Sequence, residues 1–229
     1  MRVLALILIL ASSASASASP SSSRLNEPSW RKRFEAITTT ALKGEAEVVF
    51  LGDSITRGWK DTLAWKKYFA RYHSLNAGIS SDRAENLLWR IQNGNLGNLK
   101  PRVAILLIGA NNLSISTPKE VSATINAIIN TIHTHSPATN ILLLGVLPIG
   151  KEQTDPRRKK IIAVNQQLEL LGSLPRVYYR DFGEYFLEKD GTISKEVMYN
   201  DYIHLTELGY ETWAKPLAKL IEDKLYKSP

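Results

Sequence analysis

Five short apolar runs punctuate the chain, at 48–51, 74–76, 103–108, 141–144 and 177–180. Longer amphipathic stretches lie around them, at 30–42, 63–72, 83–91, 119–133, 156–171 and about 207–226. The runs at 103–108 and 141–144 are apolar at nearly every position, as strands buried on both faces are. Strand followed by helix, five times over, predicts an α/β three-layer sandwich around a mostly parallel sheet. Its crossovers should be right-handed. In such sheets the ligand crevice lies beyond the carboxyl ends of the strands, so chemistry is sought just after each run.

Four of those places hold polar residues of complementary type. Gly52-Asp53-Ser54-Ile55 follows the first run, Ala77-Gly78-Ile79 the second, and Gly109-Ala110-Asn111-Asn112 the third. Asp201-Tyr202-Ile203-His204 precedes the last helix. Each is ordinary alone: Asp-Ser after a strand is a common turn, and Asn-Asn a common helix cap. Together they supply what acyl transfer needs. Ser54 is a candidate nucleophile, His204 its base and Asp201 the group orienting the base. The backbone N–H groups of Ser54 and Gly78, with the Asn111 amide, are candidate oxyanion donors.

Composition narrows the alternatives. A length of 229 residues suits one domain, and 44% hydrophobic with 22% charged residues excludes a disordered chain. The absence of cysteine excludes disulfides, a thiolate nucleophile and Cys-based metal sites, leaving serine as the natural nucleophile. With four histidines, and His133 and His135 at a helix end, no metal and no organic cofactor is expected. The net charge of +7 is concentrated in Arg31-Lys32-Arg33 and Arg157-Arg158-Lys159-Lys160, which read as solvated helix faces. No basic face interleaved with aromatics accompanies them, so nucleic acid is not an expected partner. Of Trp59 and Trp65, one is a candidate wall of the cleft; Trp65 fits core packing.

The N-terminus carries a separate signal. Met1-Arg2, an apolar run at 3–11 and a Ser/Ala-rich stretch with Ala16 and Ala18 in A-x-A spacing resemble a secretory signal peptide. The run is too short to span a bilayer. The expected organisation is a signal peptide over 1–18, a flexible Ser/Pro-rich tail over 19–29 and one domain over 30–229. Export to the periplasm or the extracellular space follows.

The four blocks resemble those of the GDSL, or SGNH, esterases and lipases, with Ile55 in the Leu position and Asn112 in place of Asp. Three further stretches resemble the catalytic subunits of the intracellular platelet-activating factor acetylhydrolases: 47–54, Leu88-Trp89-Arg90 with 91–94, and 190–194 with Met198-Tyr199 and His204-Leu205. The resemblance implies a flavodoxin-like five-stranded parallel sheet, a Ser54-His204-Asp201 triad and an oxyanion hole of Ser54, Gly78 and Asn111. It also implies a homodimer. The expected function is hydrolysis of short-chain esters, acetyl foremost, of small molecules or carbohydrates. Phospholipid or lysophospholipid acyl hydrolysis is the second reading, and a non-catalytic carbohydrate-binding relative the third.

Overall fold

The computed structural model describes residues 22–226; the signal peptide expected over 1–18 lies outside them. In chain order the main elements are α1 (Pro28–Ala41), β1 (Val48–Gly52), α2 (Ser54–Gly58), β2 (Leu75–Gly78), α3 (Ala84–Arg90) and β3 (Val103–Leu107). There follow α4 (Pro118–His135), β4 (Asn140–Leu144), α5 (Pro156–Leu171), β5 (Val177–Arg180) and α6 (Glu207–Tyr226). The sheet is wholly parallel, in the order β2-β1-β3-β4-β5.

Strand alternation explains the three layers. Val49 and Leu51 of β1, Ala104 and Leu106 of β3, and Ile141 and Leu143 of β4 share one core with Ile37, Leu87 and Ile128. Val48, Phe50, Ile105, Leu142 and Leu144 point the other way and join Trp59, Phe69, Trp213 and Leu217. A strand residue and its neighbour therefore serve opposite cores, which keeps β1 and β3 apolar at every position.

Local chemistry sets the helix starts. Thr117 Oγ1 accepts from the Glu120 N–H, Glu120 answers through the Thr117 N–H, and Pro118 opens α4. Asp155 accepts from the Arg157 N–H ahead of Pro156 and opens α5.

Several expectations need correction. The helix expected over 63–72 is present, but after Ala64 it widens into a π turn over Trp65–Phe69 and tightens into a 3₁₀ turn over Ala70–Tyr72. The widened turn lets both Trp65 and Phe69 reach Phe50, at ring-centroid distances of 4.9 and 5.1 Å. Trp59 is buried among Phe69, Tyr210 and Trp213, so both tryptophans are core residues and neither walls the cleft.

The described part of the expected flexible tail is anchored. Ser22 is buried and its carbonyl accepts from Asn86 Nδ2, while Arg24 bonds the Ser80 carbonyl and pairs with Asp82. Nor are the basic clusters wholly solvated. Arg158 is buried and donates to the carbonyls of Ile149 and Gly150; Arg33 is half-buried and donates to those of Asn76 and Gly78. In both cases a long aliphatic stem lets the cation cap loop carbonyls that hydrophobic patterning does not register.

Candidate active site

The chain order reverses between β1 and β3, and both strands end at the same crevice. Ser54 opens α2 immediately after β1. Asp53 caps that short helix, its Oδ1 accepting from the Ile55 N–H at 3.0 Å. No side chain fits at Gly52, where a Cβ would lie 2.2 Å from the Leu107 carbonyl oxygen.

Across the crevice, Ser54 Oγ lies 2.9 Å from His204 Nε2, and His204 Nδ1 lies 2.6 Å from Asp201 Oδ2. An ionised carboxylate only accepts, so Nδ1 carries the proton and Nε2 is left to accept from the serine. A second set of bonds fixes the Asp201 loop: Oδ1 accepts from the N–H groups of Ile203 and His204, both at 3.0 Å. Burial alone would raise the Asp201 pKa. The bonds from the His204 ring and from these two backbone groups outweigh it and hold the carboxyl below its ordinary range. Helix α6 locks the base to the nucleophile, because buried Tyr210 donates from its hydroxyl to the Ile55 carbonyl at 2.8 Å.

Asn111 follows β3 and lies against the nucleophile loop. Its Nδ2 donates to the Asp82 carbonyl at 2.9 Å, with Asp53 Oδ2 a long 3.5 Å away. An amide nitrogen carries two hydrogens, and the one on the long, weak Asp53 contact is the one a substrate oxygen would take. Gly78 does not fit its expected role. Its N–H already donates to Asn76 Oδ1 at 3.1 Å, and its missing side chain serves packing: a Cβ there would sit 2.3 Å from the Arg57 backbone nitrogen. Beyond Gly78, the Asp82 N–H closes a turn onto the Ile79 carbonyl, with Ser81 at φ +62°. That is the third position of a type II turn, normally a glycine site.

Beneath the crevice lies a buried ionic network that sequence patterning did not predict. Arg90 is fully buried and donates to Asp82 Oδ2, Asn95 Oδ1 and the Gly52 carbonyl. Asp82 also accepts from the Trp30 indole at 2.7 Å. Arg90 thus supports the loop before Ser54 directly and the Asn111 contact through Asp82. The one signal in the sequence was an arginine at helical spacing from Leu87 and Asn86 on the buried face of α3. His133 and His135 place their Nε2 atoms on the carbonyls of Thr139 and Leu99.

A serine in reach of an oriented imidazole, at the switch point of a parallel sheet, has the chemistry of a serine acyl-transfer enzyme. Residues 50–212 match the model of the GDSL-like Lipase/Acylhydrolase family, and the chain belongs to that family of serine ester hydrolases. It is similar to platelet-activating factor acetylhydrolase IB subunit alpha2 of Rattus norvegicus, 37% identical over 201 residues, which are 87% of this chain and 86% of the relative. Its fold is like that of a GDSL-like lipase from Bacteroides thetaiotaomicron, with TM-score 0.71 and 19% identity over 85% of this chain and 98% of that one. An acetyl-xylooligosaccharide esterase from Geobacillus Stearmophilus shares it at TM-score 0.61 and 18% identity, over 76% and 92% of the two chains.

Proposed function

We propose that the chain is an exported acetylhydrolase of short-acyl glycerophospholipids, with Ser54 as nucleophile, His204 as base and Asp201 as its orienting partner. The Ser54–His204–Asp201 geometry carries the chemistry. Similarity to an acetylhydrolase of platelet-activating factor supports the phospholipid reading over a carbohydrate ester, for which there is likeness of fold alone. The pattern of residues 1–18 supports export.

Ser54 Oγ bonds to the ester carbonyl carbon as His204 Nε2 takes its proton. The oxyanion receives the Asn111 N–H that is held only loosely by Asp53, and the Ser54 backbone N–H. A third donor is the Ser81 N–H, on the turn that Asn111 grips, in place of Gly78. His204 then protonates the departing alcohol. Water repeats the sequence in reverse and releases the acid.

An acyl-length series tests the reading: glycerophospholipids esterified at the central carbon with acetyl through decanoyl, with Ser54→Ala as control. We expect kcat/KM to be highest for acetyl. A maximum at eight carbons or longer contradicts the acetyl assignment. Faster turnover of acetylated xylooligosaccharides contradicts the phospholipid assignment.

A further inference from the structure

A second concavity of about 180 Å³ adjoins the site, lined by Arg24, Arg33 and Arg57 together with Trp30, Ser80 and Ser81. At roughly 30 Å³ per water, it has room for a tetrahedral anion and part of its hydration shell. Arg24 is answered by Glu27 and Asp82. Among the described residues, the hydrogen bonds of Arg33 and Arg57 go to neutral acceptors: the Asn76 and Gly78 oxygens for Arg33, and Ser80 Oγ for Arg57. Asp82, which meets Arg24 in the pocket wall, is already shared with buried Arg90. Burial lowers the Arg33 pKa and the Arg57 and Arg90 cations lower it further, against the charge of Asp61, so cations outnumber carboxylates around this guanidinium. Guanidinium forks suit the paired oxygens of a phosphate.

The pocket is walled in part by the elements that carry the reaction centre, α2 and the Ile79–Asp82 turn. Arg57 follows Ser54 by three residues on α2, which places their Cβ atoms about 5–6 Å apart on one face. The Ile79–Asp82 turn presents Ser80 Oγ to Arg57 and the Asp82 carbonyl to Asn111. A ligand phosphate held by the arginines would therefore sit a few bonds from an ester at Ser54.

We propose that this arginine pocket binds the phosphodiester of a glycerophospholipid whose short acyl ester lies at Ser54. The inference rests on the phospholipid reading above and adds the group that selects for that substrate. Arg24 and Trp30 place the anchored N-terminal segment in the wall, which gives that segment a binding role.

Two acetyl esters test it, a 1-alkyl-2-acetyl glycerophosphodiester and the same glyceride without phosphate. Both are assayed with the wild type, Arg57→Gln and Arg57→Lys; Arg57 is exposed, so these variants should fold. The wild type should prefer the phosphate-bearing ester. Arg57→Gln should raise the KM for that ester roughly tenfold, and Arg57→Lys should recover part of the loss by restoring charge without the fork. An unacylated glycerophosphodiester should inhibit at lower concentration than inorganic phosphate; the reverse order marks a free-phosphate site and overturns the lipid assignment. An unchanged KM in Arg57→Gln overturns the pocket and leaves the phospholipid reading standing. A wild type that hydrolyses only the neutral ester overturns the phospholipid reading itself.

Discussion

Asp53 stands next to the nucleophile and is almost fully buried. Burial, the largest influence, raises its carboxyl pKa; the Ile55 N–H opposes this, Asp82 adds to it and His204 subtracts, leaving a value of about 7. In the unfolded chain an aspartate titrates near ~3.9. Below about pH 4 both states hold the proton and nothing is lost. Between about pH 4 and 7 only the unfolded state releases it. Stability should therefore fall as pH rises through that window, by up to about 1.4 kcal/mol per pH unit, and level off above it. Asp53→Asn keeps an oxygen for the Ile55 N–H and removes the titration, so its denaturation midpoint should vary less with pH. Equal pH dependence in the two proteins contradicts this account. Ser54, Asn111, Asp201 and His204 could be singled out in the sequence because their residue types suit acyl transfer, and the structure brings the serine, histidine and aspartate into hydrogen-bond reach. Sequence patterning misassigned Gly78 because a glycine required for packing and one required as a donor look alike in a motif. It missed Asp82 and Arg90 as a pair because their value lies in what they bridge, eight residues apart and beneath the crevice.

The elements most legible in the sequence were those whose burial follows the period of a strand or a helix. The five strands and helices α1, α4, α5 and α6 appear close to their expected bounds, since a two-sided core demands long apolar runs and a one-sided helix demands a stripe. Helix α2 was not visible, because five residues cannot display a period. The aromatic stretch at 65–72 deviates because contact with Phe50 overrides helical spacing. Packing of β2 against α2 gives a test at this scale. Gly78→Ala keeps the backbone N–H and adds a methyl group where the Arg57 backbone nitrogen lies 2.3 Å away. It should lower stability by about 1–3 kcal/mol in chemical denaturation and disturb activity through the displaced helix. Full stability in that variant contradicts the packing role.

Across the whole molecule, the sheet order brings loops far apart in sequence to one crevice. Ser54 and His204 are 150 residues apart, and α6 returns at the end of the chain to clamp α2 through Tyr210. The positive charge, which read as surface decoration, is in part structural at Arg158 and in part gathered beside the site at Arg33 and Arg57. The central claim is that Ser54 is a nucleophile activated by His204. Mass spectrometry of the folded chain after brief exposure to a fluorophosphonate tests it most directly. The account predicts one adduct, on the peptide containing Ser54, absent in Ser54→Ala and formed far more slowly in a folded His204→Ala. No adduct, or an adduct on another residue, contradicts it.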